Sequence, residues 1–128
     1  MHLIIDGYSN DPELLRDERF LSSLLDTYPT EIGMTRITQP MVIRYKGENP
    51  RDWWISGFVF IAESHISVHT FVETRYINID VFSCKAFDTA RVVNNMKEKF
   101  RLVEWRVHRV ERDWEPGKAP VAARASRK

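Results

Sequence analysis

Polar and ionisable side chains recur at every second position along two adjacent segments of the chain. A strand through the first segment places His65, Ser67 and His69 on one face, and the second segment repeats the pattern with Asp80 and Cys84. Imidazole, hydroxyl, carboxylate and thiol groups on one side of neighbouring strands would form a site for acid–base or nucleophilic chemistry. The same alternation is typical of any half-exposed sheet, so the pattern alone leaves both interpretations open.

Two familiar kinds of site do not fit these residues. His65 and His69 have the spacing of helical zinc ligands, but in a strand that spacing separates the rings by roughly 13 Å, too far for one ion. No metal site is therefore expected. A serine hydrolase is also disfavoured, because Ser64 follows Glu63 and does not lie in a G-x-S-x-G turn.

Hydrophobic periodicity and capping signals predict the elements that position these residues. We expect a strand at 3–5, a helix at 12–28 opened by Asp11 with a break near Asp17, and a strand at 34–45 in which Pro40 marks an edge position or a bulge. Further strands are expected at 55–62, 65–71 and 76–83, followed by a helix capped by Asp88 and a final strand around 103–107. Sequential strands with short connections pair antiparallel. The fold class expected is therefore α+β, a two-layer sandwich with a mainly antiparallel sheet and two helices on one face.

Composition limits the classes of protein to consider. The 128 residues predict one domain over 1–112 and a mobile basic tail over 113–128. Nineteen basic and eighteen acidic residues leave a net charge of +1, which disfavours nucleic acid as a partner. The sequence contains no apolar run long enough to span a membrane, no secretion signal and only one cysteine, so we expect a cytoplasmic protein with no membrane partner.

The sheet face without helices needs a covering. If Trp53, Trp54, Phe58 or Phe60 lay exposed there, they would form an apolar patch larger than monomers usually tolerate. We therefore expect a second copy of the chain to pack on the sheet, face to face or edge to edge.

One block of the sequence has a specific resemblance. The run Ile61-Ala-Glu-Ser-His-Ile-Ser-Val-His-Thr-Phe71, followed by Asp80-Val-Phe-Ser-Cys84, closely resembles the prokaryotic S-adenosylmethionine decarboxylase proenzymes. The resemblance extends upstream through Ser56-Gly57 to the opening residues and covers about residues 2 to 110. It implies a lyase that cleaves itself between Glu63 and Ser64 into a β chain and an α chain, which would assemble as a homodimer of αβ units.

The same resemblance implies the roles of the site residues. The Ser64 hydroxyl attacks the preceding carbonyl, and the resulting ester eliminates and hydrolyses to a pyruvoyl group, the only cofactor expected. His69 aligns with the histidine that assists this processing. The pyruvoyl carbonyl then forms a Schiff base with the substrate amine and accepts the electrons released with carbon dioxide. Cys84 aligns with the proton donor, and a thiol is mostly protonated at neutral pH, as an acid must be.

The sequence indicates the substrate less directly than it indicates the chemistry. Adenine needs flat apolar faces and ribose needs a carboxylate, for which Tyr45, Phe71 and Glu73 are the candidates. S-Adenosylmethionine, the precursor of the aminopropyl donor in polyamine synthesis, is the substrate favoured. Relatives on this scaffold decarboxylate arginine or ornithine, whose distal cation would need an acid such as Glu48, Asp52 or Glu73. An unprocessed, inert ligand-binding or regulatory homologue is the alternative of another class.

Overall fold

The computed structural model describes residues 1–112, and the predicted tail over 113–128 lies outside the described residues. The strands are β1 His2–Ser9, β2 Thr35–Arg36, β3 Met41–Lys46, β4 Trp53–Ala62, β5 Ser64–Phe71, β6 Tyr76–Ser83 and β7 Leu102–Val110. The helices are α1 Pro12–Leu15, α2 Glu18–Glu31 and α3 Thr89–Lys99, and a 3₁₀ turn covers Val72–Thr74. The α+β class predicted from the sequence is confirmed.

Within residues 1–112, all seven strands form one antiparallel sheet. Its order is β2-β4-β5-β6-β1-β7, and β3 pairs with the same edge of β4 as β2 does. β1, the first strand of the chain, therefore lies between β6 and β7, which both come from the second half of the chain. Strands that precede Ser64 in the sequence therefore lie next to strands that follow it.

The helices cover one face of this sheet and close the core against it. Leu21, Leu25 and Tyr28 recur on one side of α2, and all three are buried. Burying each such side chain stabilises the fold by about 1.5–3 kcal/mol. The Tyr28 hydroxyl donates to Asn95 Oδ1 of α3 at 2.9 Å, so α2 and α3 lie on the same face of the sheet. Burial raises the pKa of the Tyr28 hydroxyl far above its ordinary value, with a smaller contribution from Glu31.

The capping predictions are confirmed. The Asp11 carboxylate accepts from the Leu14 amide at 3.1 Å, and the Asp88 carboxylate accepts from the Arg91 amide at 3.0 Å. Asp17 caps α2 by accepting from Phe20 at 3.0 Å, so the predicted break divides the first helical region into α1 and α2. Residues 1–112 form three α-helices where two were predicted, because the first turn is a helix of its own.

Two predicted boundaries were wrong. The helix expected to end before Pro29 continues to Glu31, because a proline in the last turn removes one hydrogen bond without stopping the chain from completing that turn. The single strand expected over 34–45 is two strands, separated at 37–40. Pro40 lies in this interruption at the sheet edge, as expected for a residue that cannot donate to a ladder.

The face of the sheet opposite the helices has no covering element within residues 1–112, and we call it the open face. Its side chains come from alternate positions: Met41, Ile43 and Tyr45 of β3, Trp54, Ser56, Phe58 and Phe60 of β4, His65, Ser67, His69 and Phe71 of β5, Tyr76, Asn78, Asp80 and Phe82 of β6, His2, Ile4, Asp6 and Tyr8 of β1, and Glu104, Arg106, His108 and Val110 of β7. The face that was predicted from the parity of β5 and β6 is confirmed. No helix within the described residues is long and apolar enough to cross a membrane.

Candidate active site

Ser64 lies at the tight turn between β4 and β5. Ile61 and Ser64 are cross-strand partners, so only Ala62 and Glu63 form the turn. The turn brings the Ser64 hydroxyl against the backbone it follows, and Oγ donates to the carbonyl oxygen of Glu63. The hydroxyl therefore lies beside the carbonyl that the sequence resemblance predicts it to attack.

Cys84 is the other chemically reactive side chain at this end of the sheet. Ser64 pairs with Ser83 across β5 and β6, and Cys84 follows directly after β6 ends. The pairing brings Cys84 Sγ to 3.8 Å from Ser64 Oγ, although twenty residues separate them along the chain. Cys84 is exposed, so it is accessible to a substrate at Ser64.

His69 lies farther along β5 and is held by a residue that the sequence analysis did not single out. Ser56 is its cross-strand partner on β4, and Ser56 Oγ lies 2.7 Å from His69 Nδ1. This hydrogen bond fixes the orientation of the imidazole ring. Strand parity could have identified Ser56, because position 56 falls on the open face opposite His69.

Ser64 and His69 do not meet within one protomer. They are five residues apart on β5, and the rise of a strand puts about 16 Å between their Cα atoms. His69 therefore cannot reach the Ser64 α-proton of its own chain without dismantling the strand. The sequence-predicted catalytic residues fall into two groups, Ser64 with Glu63 and Cys84 at one end, and His69 with Ser56 nearer the middle.

The predicted substrate-binding residues lie at the far end of β5. Tyr45 stacks on Trp54 with ring centroids 4.4 Å apart, and Trp54 lies 5.9 Å from Phe71. Two further aromatic contacts, Phe71 with Tyr76 at 5.8 Å and Tyr76 with Tyr8 at 5.2 Å, continue the row across the open face. Tyr45 and Phe71 thus form part of one aromatic row that offers flat surfaces for stacking.

Glu73 lies in the 3₁₀ turn after β5. Its carboxylate accepts from Trp53 Nε1 at 3.4 Å, and Trp53 packs on the helix side of the sheet beneath the Arg44 guanidinium. The carboxylate also lines a shallow cleft of about 130 Å³ together with Asp52, Trp54 and Phe71. Glu73 is therefore next to the aromatic row, while Glu48, the other acid considered for a distal cation, is not among the residues lining the cleft.

His65 is adjacent to Ser64 in sequence and lies on the open face. Its ring stacks on Phe58 at 5.2 Å and lies 5.6 Å from Phe82. Burial among these rings lowers the pKa of His65, His2 lowers it further, and Asp80 partly opposes the shift. His2 Nε2 lies 2.9 Å from Asp80 Oδ1, so Asp80 is already engaged.

The structure thus places a serine hydroxyl against its own preceding carbonyl, at a turn in the sheet of a two-layer sandwich. The family model described as S-adenosylmethionine decarboxylase matches residues 1–113. The chain belongs to the S-adenosylmethionine decarboxylase family, a family of pyruvoyl-dependent carboxy-lyases.

Individual relatives support the same assignment. The S-adenosylmethionine decarboxylase proenzyme of Archaeoglobus fulgidus is 32% identical over 114 residues, which cover 87% of this chain and 95% of the relative. A proenzyme of the same name from Clostridium botulinum is 31% identical over 106 residues, covering 80% and 86%. The crystal structure of the adenosylmethionine decarboxylase from Aquifex aeolicus matches with a TM-score of 0.63 and 23% identity, over 89% of this chain and 94% of that one, and shares the fold.

Proposed function

We propose that this chain is a self-processing, pyruvoyl-dependent decarboxylase of S-adenosylmethionine, acting in polyamine synthesis. The observation that carries the proposal is the placement of Ser64, whose Oγ donates to the Glu63 carbonyl and lies 3.8 Å from Cys84 Sγ. The pyruvoyl group fits this position because the precursor serine, the carbonyl it attacks and a thiol acid are together there. Family membership supports the chemistry, and the names of the relatives support the substrate.

The processing chemistry follows from these atoms. Ser64 Oγ bonds to the Glu63 carbonyl carbon while the bond from that carbon to the Ser64 nitrogen breaks, which gives an ester. Removal of the Ser64 α-proton then expels the Glu63 carboxylate, and hydrolysis releases ammonia and leaves the pyruvoyl group. The products are a chain of residues 1–63 and a chain that begins at position 64. We assign the removal of the α-proton to His69, oriented by Ser56.

The decarboxylation divides its tasks among the other side chains. When present, the pyruvoyl group supplies an electron sink for the pair released with carbon dioxide. Cys84 delivers the proton to the substrate carbon, since its thiol lies beside Ser64. The aromatic row at Tyr45 and Phe71 stacks the adenine ring, and the Glu73 carboxylate accepts hydrogen bonds from the ribose hydroxyls.

These roles require a homodimer that packs through the open face. Within one protomer His69 lies about 16 Å from Ser64 along β5, by the rise of a strand. A second copy that packs on the open face with its strands reversed brings its own His69 and aromatic row toward Ser64. Exposed apolar side chains support this packing, since Met41, Ile43 and Phe60 on the open face are 65%, 53% and 48% exposed.

Carboxyl-labelled substrates test the proposed function. The purified full chain, after self-cleavage, is incubated separately with carboxyl-labelled S-adenosylmethionine, arginine and ornithine, and released carbon dioxide is counted. We expect release from S-adenosylmethionine alone, and none from any of the three with the Ser64→Ala variant. Release only from arginine or ornithine would overturn the substrate, with Asp52 and Glu73 then the candidates for binding the distal cation.

Denaturing mass spectrometry tests the processing independently of substrate. We expect two fragments that divide between Glu63 and Ser64, with the second one labelled by phenylhydrazine at its new end. A chain that stays whole over days would instead support the inert ligand-binding or regulatory homologue.

A further inference from the structure

The last strand of the sheet ends beside the candidate active site. β7 finishes at Val110, which pairs with His2 of β1, and His2 in turn pairs with Phe82 of β6. Phe82 pairs with His65, the residue that follows Ser64. The end of β7 therefore lies at the same end of the sheet as Ser64, and the residues that follow β7 start from there.

Arg112 turns from the end of β7 onto the open face. Its guanidinium carbon lies 4.5 Å from the centre of the Phe82 ring, and the side chain is exposed. The Phe82 ring lies 5.6 Å from the ring of His65, and Cys84 follows Phe82 by two positions in the sequence. Because a guanidinium is always charged, this contact holds a positive charge on the open face near Ser64 and Cys84.

Other basic side chains near this end of the sheet are engaged or lie on the helix side. Lys85 lines a crevice formed by residues that pack against the helix-side core. Arg36 pairs with a carboxylate of α2 at 3.1 Å. Burial lowers the pKa of His65, which favours the neutral ring. Arg112 has no ion-pair partner within residues 1–112, so its charge is available to a ligand.

The proposed substrate carries an anionic group that must lie in this region. Its α-amine reacts at residue 64, and its carboxylate is bonded to the same carbon as that amine. The carboxylate is therefore held beside residue 64, near the guanidinium on Phe82. A guanidinium offers N–H donors in a planar fork that matches the two oxygens of a carboxylate. The second copy proposed to pack on the open face excludes water from this contact, which strengthens a charge-assisted hydrogen bond.

We propose that Arg112 binds the α-carboxylate of the substrate and holds it beside residue 64. This inference rests on the proposed function, because that function places the substrate amine at residue 64. It does not depend on which substrate is decarboxylated, since S-adenosylmethionine, arginine and ornithine all carry this carboxylate. The carboxylate loses its charge as carbon dioxide leaves, so the guanidinium contributes to binding of the substrate and not to the chemical step.

Steady-state kinetics of the self-cleaved full chain test the role of Arg112. In Arg112→Ala we expect KM for S-adenosylmethionine to rise about tenfold or more, while kcat does not fall. Arg112→Lys keeps the charge and should recover part of the lost affinity. The decarboxylated product is a matched probe, because it keeps the adenosyl group and the amine but lacks the carboxylate. Its inhibition constant should stay within about twofold of the wild-type value in both variants.

Arg19→Ala is the control, because it removes the same charge from an exposed position of α2 and should change neither constant. An unchanged KM in Arg112→Ala, or an equal loss of affinity for the substrate and for the carboxylate-free amine, would refute the carboxylate site and leave the proposed function intact. Failure of both Arg112 variants to cleave themselves would also refute it, since the residue would then serve processing.

The substrate and the proposed function are tested separately by the wild-type chain. If wild type decarboxylates only arginine or ornithine, the same comparison is made with that amino acid and its decarboxylated amine, with the same expected results. A wild-type chain that is never cleaved would refute the proposed function and the carboxylate site together.

Discussion

Mixed dimers of two inactive variants test whether the site is built from both copies. The Ser64→Ala chain lacks the nucleophile and the His69→Ala chain lacks the proposed base, so neither matures alone. If His69 serves the Ser64 of the other copy, a mixed dimer contains one complete site, with Ser64 and Cys84 from one chain and His69 from the other. If both act within one chain, a mixed dimer contains none.

The distance between Ser64 and His69 along β5 predicts that the mixed dimer is active, and random pairing of the two chains predicts how much activity is recovered. About 16 Å of strand separates the two residues in one protomer, beyond the reach of a proton transfer. When the two chains are co-expressed in equal amounts, half of the dimers are mixed and half of the sites in each are complete. About a quarter of all chains should therefore be cleaved, and decarboxylation should reach about a quarter of the wild-type rate.

Two different affinity tags isolate the mixed dimer, and denaturing mass spectrometry then identifies which chain is cut. We expect the His69→Ala chain to be divided between Glu63 and Ser64 and the Ser64→Ala chain to stay whole. The matched control combines Ser64→Ala with Cys84→Ala, whose wild-type side chains lie 3.8 Å apart in one site. In that mixed dimer the Cys84→Ala chain should be cut, but no site has both groups, so decarboxylation should not be restored. An uncut His69→Ala chain in purified mixed dimers, or normal cleavage of the His69→Ala homodimer, would refute the reasoning.

Three further perturbations follow from single contacts. Cys84→Ala should still be cleaved, but its rate of decarboxylation should fall by about 100-fold or more, the usual contribution of a general acid. Lys85→Ala is the control. A steady rate equal to that of wild type would show that Cys84 is not the proton donor. Gly57→Ala places a Cβ 2.7 Å from Leu25 Cδ1 and 2.9 Å from Leu21 Cδ2. Urea unfolding at a fixed protein concentration should therefore show a free energy of unfolding lower by about 1–3 kcal/mol than that of the control variant Ser23→Ala. An unchanged unfolding midpoint would contradict this packing. Burial and His2 lower the pKa of His65, so the unfolded chain binds the proton more readily than the folded one. The free energy of unfolding should therefore fall as pH falls through 6.5, and His65→Asn should make this decline shallower. Parallel curves of stability against pH for wild type and His65→Asn would contradict the prediction.

Strand periodicity predicted most of what positions the site. Alternation along 65–71 and 76–83 identified the open-face residues, and the register confirms it by pairing Ser67 with Asp80. Asp11 and Asp88 were recognisable as caps because a carboxylate before a helical segment can accept from its first amides. These signals are local, which is why one sequence was sufficient to find them.

The features that were missed depend on contacts distant in sequence. Pro40 indicated an irregularity in the segment over 34–45, but its division into two strands depends on β4, which is ten residues long and accommodates two short partners along one edge. Strand parity places Ser56 on the open face, but its pairing with His69 follows only from the β4–β5 register. The resemblance brought Ser64, His69 and Phe71 together as one site, whereas the strand that carries them spreads them along its length.

The sheet order explains how the chain can be cut at its centre and stay assembled. Cleavage between Glu63 and Ser64 severs the β4–β5 turn and no rung of the ladder, since that turn contributes only Ala62 and Glu63. The first product keeps β1 and β4, while the second keeps β5, β6 and β7. β1 lies between β6 and β7, and β4 pairs with β5, so the two products share three strand pairings. Separating them would expose the core beneath all three, so the proposed maturation interrupts the backbone at one position and leaves the site in place.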